Sequence, residues 1–293
     1  MAEAQTAEPG PSARVGEEEV AAYRRDGAVA LRQVFDKEWI EVLRAGLERN
    51  LEDPGRFAHH YTAPGRPGLF FGDYCNWQRI EEYRRFVYDS PAAEIAARIM
   101  GARKVNFFHE HVLVKEAATA ERTPWHHDQP YWTVDGDQVC SLWIPLDPVS
   151  RETCVEFVAG SHRWGKWFRP KRFVDLADHD TQEGEPVPDI DAHRADYRLL
   201  SWALEPGDCI AFHALTLHGA PGNTSATRRR RAFAARWTGD DARFARRDGY
   251  MSPPFEEVTL RPGAPMDCET FPVVWPRGEK DKRSHRKASG KGE

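Results

Sequence analysis

The sequence predicts a mainly β fold with flanking helices, a sandwich or barrel whose helices pack on the outside. Three observations carry this. Between residues 104 and 238 the chain reads as short strands separated by Gly- and Pro-containing turns. The helical patterns come before Gly101. The 293 residues are 40% hydrophobic and 11% aromatic, enough to build one large domain with a proper core. The expected organisation is a disordered tail over 1–16, a single domain over 17–276 with its β core at about 104–238, and a disordered basic tail over 277–293.

Taken in order, Glu17 to Arg25 reads as a short helix stopped by Asp26-Gly27, and Ala28 to Leu31 as a strand. A second helix, over about 37–50, carries Trp39, Ile40, Leu43 and Leu47 at helical spacing. Residues 52–79 look irregular but hold Phe70, Phe71, Tyr74 and Trp77, too many aromatics for a solvated loop, and are expected to fold back over a pocket. A third helix has Ser90 at its N-cap, Pro91 at its first position and Gly101 at C′. Residues 104–115 then alternate, with Val105, Phe107, His109, His111, Leu113 and Lys115 on one face. Polar groups among apolar ones on that face suggest a barrel interior lined for a polar ligand; a solvent-facing surface is the alternative. Further strands are expected over 139–146, 154–158, 197–204, 209–218 and 229–237. Glu205-Pro206-Gly207-Asp208 suits a type II turn, with Pro at i+1 and Gly at i+2. Residues 163–195 form a long charged stretch without periodicity, functional or disordered by its length.

Composition excludes several classes. A net charge of −5 argues against a nucleic-acid binder. No apolar run approaches a membrane span, and Met1 to Gly16 lacks a secretory pattern. The five cysteines are odd in number and scattered without Cys-x-x-Cys, as in a cytoplasmic protein with reduced thiols rather than a disulfide framework.

The chemistry concentrates in Thr123-Pro124-Trp125-His126-His127-Asp128-Gln129-Pro130-Tyr131-Trp132. On an extended strand His126 and Asp128 share a face, with His127 on the other. Together they are two-thirds of the 2-His-1-carboxylate set used for non-haem Fe(II). His218, at the end of a predicted strand, is the candidate third ligand; a hydrogen-bonded structural histidine is the plainer reading of it alone. His213, five residues earlier, competes for the role but points the other way on a regular strand. The run Arg228-Arg229-Arg230-Arg231 leads into an apolar strand, and alternation puts Arg229 and Arg231 on one face. An inward arginine needs a partner, and a carboxylate matches its planar guanidinium.

These pieces occur in one order: Lys115-Glu116, Thr123-Pro124-Trp125-His126-x-Asp128, Gly160-Ser161-His162, Glu205-Pro206-Gly207-Asp208, His218-Gly219 through Asn223, then Arg229-x-x-Ala232. In this the chain resembles the phytanoyl-CoA dioxygenase family of Fe(II)/2-oxoglutarate-dependent oxygenases, over roughly residues 17–240. The resemblance implies a double-stranded β-helix (jelly-roll, cupin-like) core. It implies His126, Asp128 and His218 as iron ligands, with 2-oxoglutarate as co-substrate and O2 as oxidant. It puts the 2-oxoglutarate anchor at Arg229, with Arg231 as fallback on the same face. Trp143, Thr123, Lys115 and His111 would flank that co-substrate. Two positions depart from the family: His127 stands where Gln is usual between the ligands, and Ala220 where many members carry Ser, so another donor should replace that hydroxyl. Halogenating relatives have a small residue at the Asp128 position, so the carboxylate argues for C–H hydroxylation, with succinate and CO2 released.

Tyr131, Trp132, Phe70 and Phe71 are candidates for the wall of a small-molecule substrate pocket, with core packing as the alternative. The basic first half of 163–195 would suit an anionic substrate, or be only a solvated face. The oligomeric state is not indicated. Two other classes use the same residues: a non-catalytic cupin-like binding or sensor protein, and a metallohydrolase on the same barrel. Neither has a use for an inward arginine.

Overall fold

The computed structural model describes residues 15–173, 177 and 184–277; the tails expected to be disordered lie, over 1–14 and 278–293, outside the described residues. The fold reaches slightly beyond the expected boundaries. Val15 is fully buried in the helix-side core, and the Arg277 guanidinium donates to the carbonyls of Asp89 and Ser90.

The elements run α1 (Glu17–Asp26), β1 (Ala28–Leu31), α2 (Lys37–Glu52), β2 (His59–His60), β3 (Phe70–Tyr74), α3 (Glu81–Asp89), α4 (Ala92–Met100), β4 (Val105–Lys115), β5 (Thr123–His126), β6 (Val134–Asp135), β7 (Val139–Pro145), β8 (Glu156–Val158), β9 (Leu199–Leu200), β10 (Cys209–His213), β11 (His218–Ala220), β12 (Arg230–Thr238), β13 (Arg243–Phe244) and β14 (Val273–Trp275). A large antiparallel sheet has the order β1-β10-β7-β12-β4-β3-β2, with β14 also on β4. A smaller one has the order β5-β11-β8-β9. Trp143, Phe212 and Ala232 of the large sheet pack against Phe157 and Ala220 of the small one, so the two form a jelly roll. The helices cover the opposite face of the large sheet, where Leu43, Tyr83, Phe86 and Ile95 meet Val112, Leu142, Phe233 and Trp237. Among the described residues no helix is long and apolar enough to cross a membrane.

Local chemistry explains the boundaries. Gly27 ends α1 at φ +80°, and a Cβ there would lie 2.4 Å from His162 Nδ1 and 2.5 Å from Thr216 Oγ1. Gly101 caps α4 in the left-handed region, as the sequence predicts, but α4 begins at Ala92 with Pro91 as its N-cap, one residue later than expected; Ser90 ends α3, and its Oγ accepts from the N–H of Ala92. Gly207 has φ +107° and Asp208 N–H donates to Glu205 O, completing the expected turn.

Three further expectations need correction. The irregular 52–79 segment contains β3, paired with β4, and the helix α3 follows it. The strand expected over 209–218 splits: β10 ends at His213, the chain crosses between sheets, and β11 begins at His218. The single face assigned to 105–115 changes side at a bulge, where β12 pairs Arg236 with His109 but Trp237 with Phe107. Val105 and Phe107 therefore join the helix-side core, while His109, His111, Leu113 and Lys115 face the space between the sheets.

Asp208 ties the β9–β10 turn to the end of β1. Its carboxylate accepts from Gln33 N and Nε2, Glu205 N and the Arg32 guanidinium at 2.8–3.1 Å. Burial pulls this carboxyl upward, but the Gln33 and Glu205 N–H groups and Arg32 outweigh it and hold it below its ordinary value. Its contribution is thus present above the unfolded carboxyl value of about 3.9 and lost as pH falls through the lower folded one. Asp208→Ala is expected to cost about 2–3 kcal/mol at neutral pH in urea denaturation, with the gap to wild type closing in acid. An unchanged midpoint at neutral pH would contradict this role.

Candidate metal centre and its pocket

The site begins with one strand pairing. β5 and β11 are antiparallel neighbours in which His126 stands opposite His218, bringing the ring centroids to 4.2 Å. Asp128 lies just past β5 in a helical conformation, φ −78° and ψ −41°, held by its N–H to Ala214 O. It therefore joins the histidines by a turn of the backbone, not by the extended i, i+2 geometry expected. Its Oδ1 is 3.5 Å from His126 Nε2 and 3.8 Å from His218 Nε2. All three side chains are buried, and one ligand atom from each lies within 4.8 Å of the others.

The hydrogen bonds fix the orientation. His126 Nδ1 is 2.7 Å from Pro124 O and His218 Nδ1 is 2.9 Å from Thr216 O. A carbonyl only accepts, so each Nδ1 carries the proton and each Nε2 turns a lone pair toward Asp128. Burial drives His218 down to about 3, which keeps it neutral. For Asp128 burial acts in the opposite sense, but its charged surroundings, the Arg236 guanidinium among them, hold the carboxyl well below its usual value. Its Oδ2 is buried without a hydrogen-bond partner among the described residues. Two converging nitrogen lone pairs and an ionised, half-satisfied carboxylate fit a divalent cation, and the donor set is that of non-haem Fe(II). His127 does not take part. Its Nε2 accepts from Phe168 N–H at 2.9 Å, and burial pushes it down to about 4.

The triad opens on a cavity of about 470 Å³. The large sheet supplies one wall in layers, with β12 paired to β4 as Arg230 with Lys115, Ala232 with Leu113, Ala234 with His111 and Arg236 with His109. On the other side of β12, Trp143 stands opposite Ala234 and Ser141 opposite Arg236. Trp143, Thr123, Lys115, His111, Tyr131, Trp132 and Phe70 all line this cavity with the triad.

Arg229, Arg231 and Phe71 do not. Arg229 pairs with Glu116 and Glu48, and Arg231 with Asp147 and Glu48, on the outer face of the sheet. The inward arginine is Arg230. The reason is the strand register: Phe233, Ala235 and Trp237 must face the helices, so Arg231 faces the same way and the even-numbered residues face the cavity. Phe71 is likewise turned into the helix-side core, one residue out of phase with Phe70.

Arg230 and Lys115 are both buried, and among the described residues neither has a carboxylate partner. Lys115 Nζ donates to the carbonyls of Glu121 (2.8 Å) and Pro221 (3.0 Å) and sits 4.3 Å from the Phe70 ring centroid. The Arg230 guanidinium donates to the carbonyls of Thr153 and Pro221. Burial pulls both downward, Arg230 to about 10 and Lys115 well below its usual value with Arg230 adding to the effect. Such a pair is a receptor for an anion.

The sequence reading also missed Arg236, Phe173 and Tyr250 as cavity residues. Arg236 carried a signal, since it shares parity with Arg230 across the small residues Ala232 and Ala234. Phe173 carried none. It comes from the 163–195 stretch, whose Lys171 backbone N–H donates to the Tyr131 hydroxyl, setting the Phe173 ring 4.9 Å from His126.

Comparison with known proteins agrees with this geometry. Residues 23–232 match the family described as phytanoyl-CoA dioxygenase (PhyH). The 1-deoxypentalenic acid 11-beta-hydroxylase of Streptomyces arenae is 29% identical over 69% of this chain and 73% of its own. Among solved structures, the non-heme alpha ketoglutarate dependent carbocyclase SnoK from nogalamycin biosynthesis superposes with a TM-score of 0.72 at 26% identity, covering 92% of this chain and 100% of that one. The epimerase SnoN in complex with Fe3+, alpha ketoglutarate and nogalamycin RO superposes with a TM-score of 0.68 at 23% identity, over 88% of this chain and 98% of that one, a likeness of fold.

At a hundredfold excess over its Kd, a divalent metal should stabilise the protein by about 2.7 kcal/mol, read as a rise in Tm on adding Mn(II). Asp128→Ala is expected to abolish that rise, and His127→Ala to keep it while lowering the metal-free Tm. A rise retained in Asp128→Ala would remove the carboxylate from the ligand set.

Proposed function

This chain belongs to the phytanoyl-CoA dioxygenase family and is an Fe(II)- and 2-oxoglutarate-dependent oxygenase, and we propose that Arg230 and Lys115 anchor the co-substrate while the aromatic half of the cavity presents a C–H bond of a small molecule for hydroxylation. The observation that supports this most is the pair of buried cations without a carboxylate, in the same cavity as a His-Asp-His set with an unsatisfied carboxylate oxygen. His126, Asp128 and His218 would hold the iron. Bound there, Fe(II) and 2-oxoglutarate supply the oxidising chemistry, in which O2 gives one oxygen to succinate, with loss of CO2, and the other to the substrate C–H bond.

The chain's own residues bind and orient. Arg230 and Lys115 would take the far carboxylate of 2-oxoglutarate, since a planar guanidinium matches a carboxylate and an ammonium adds a compact charge beside it. Ala232, Ala234 and Ala220 are small, which leaves room for the stem of the co-substrate. Thr123 stands opposite Ala220 in the β5–β11 pairing, and we assign it the hydroxyl contact that Ala220 lacks. Trp143 closes the side of this end. At the other end Tyr131, Trp132, Tyr74 and Phe173 form an apolar wall that excludes water from the reacting carbon.

The substrate is a small molecule, and we propose that it is anionic: Lys171, Arg172 and Arg236 also line the cavity, against Asp128 as its one carboxylate among the described lining residues. The five free cysteines fit a reducing compartment such as the cytoplasm.

Succinate release with 2-oxoglutarate as the varied ligand tests the anchor. Arg230→Ala is expected to raise the KM for 2-oxoglutarate at least about 30-fold, the cost of stranding one partner of a buried charge pair. Arg229→Ala should leave it within about twofold, as expected for surface ion pairs. The reverse ranking would return the anchor to the outer face and overturn the proposal.

A further inference from the structure

The layer of the cavity farthest from Arg230 is polar, buried and unsatisfied. Arg236 is 6% exposed, and its one hydrogen bond among the described residues runs from Nη1 to Ala234 O at 3.0 Å. Among the described residues its Nε is buried without a hydrogen-bond partner and its guanidinium forms no ion pair. Across the strand pairing, His109 Nδ1 and Ser141 Oγ are also buried without partners among the described residues, and so is His111 Nε2 one layer along. The guanidinium carbon lies 5.6 Å from the Trp132 ring centroid, which holds its plane against an apolar wall. Buried polar atoms are nearly always hydrogen-bonded. Three of the unpartnered atoms, on Arg236, His109 and His111, belong to residues that line the cavity, and they point to a ligand that satisfies them.

We propose that Arg236, with His109 and His111 beside it on the cavity wall, is an acid-recognition subsite that holds a carboxylate of the oxidised substrate. This rests on the oxygenase reading above and adds to it the substrate's chemical class and its orientation. The subsite is distinct from the co-substrate anchor. Arg236 is six residues from Arg230 along one strand, roughly 20 Å of extended chain, more than a five-carbon diacid spans. It lies on the metal side of the cavity: Phe212, opposite Ser141 in the sheet, packs its ring 4.8 Å from that of His218. An acid held at Arg236 therefore has its body in the part of the cavity that the triad also lines. The aromatic residues around it favour an apolar body. The substrate class is an apolar monocarboxylic acid.

The test uses the intact protein with Fe(II) and 2-oxoglutarate under anaerobic conditions, following the visible charge-transfer band of that complex. Cyclohexanecarboxylate, phenylacetate and 1-adamantanecarboxylate are titrated, each beside its methyl ester. At least one acid is expected to perturb the band with roughly tenfold or greater preference over its ester. Arg236→Met should reduce the acid to the affinity of its ester, leaving the ester and 2-oxoglutarate unchanged, and Arg236→Lys should recover part of the preference. A role in packing alone would not create an acid–ester difference or its rescue by lysine. Acids and esters that behave alike in the wild-type protein overturn the subsite without need of a variant. So does an Arg236→Met protein that weakens 2-oxoglutarate as much as the acid, which would assign the guanidinium to the co-substrate. If wild-type protein forms no charge-transfer band, the oxygenase reading itself fails, and the subsite with it.

Discussion

Strand β12 can bury its large side chains in only one register. Phe233 and Trp237 need the apolar layer under the helices, and period-2 alternation then sends Arg230, Ala232, Ala234 and Arg236 into the jelly roll. Much of the site follows from that constraint. The two alanines leave open volume at the middle of the wall, and the two arginines bound it. The same register aligns β4, so that Lys115 meets Arg230 and His109 meets Arg236. The small sheet contributes the other half through a single pairing, His126 against His218.

Charge is distributed with the same logic. Within the arginine run, the outward members are matched by Glu48, Glu116 and Asp147. The inward one is offered only carbonyl oxygens. Among the described residues, carboxylates are thus supplied to arginines outside the sheets, and Asp128 of the triad is the one that lines the cavity. Burying uncompensated cations is costly, and the cost is tolerable where an anionic ligand completes the site. The far carboxylate of 2-oxoglutarate is the ligand we propose for Arg230 and Lys115. The unsatisfied atoms around Arg236 ask the same question at the other end of the cavity.

Local signals in the chain were strong where one residue type answers one geometric demand. Asp26-Gly27, Ser90-Pro91 with Gly101, and Glu205 through Asp208 each mark a boundary found in the structure, because left-handed backbone and capping hydrogen bonds suit few residues. The motif order led to the family and so to the jelly roll. Face assignments were weaker. One bulge near Phe108 inverted the parity of β4, and a break after His213 moved His218 to the other sheet. Neither irregularity has a residue signature in the local sequence.

What the sequence determined alone was the fold class, most element boundaries, and the family with His126, Asp128 and His218 as its implied ligands. What only the tertiary structure decided was which arginine faces the cavity. The choice between Arg229 and Arg230 is one residue of register, and a run of four arginines carries no internal preference. Phe233 and Trp237 make the choice, by packing against helices that lie more than a hundred residues earlier in the chain.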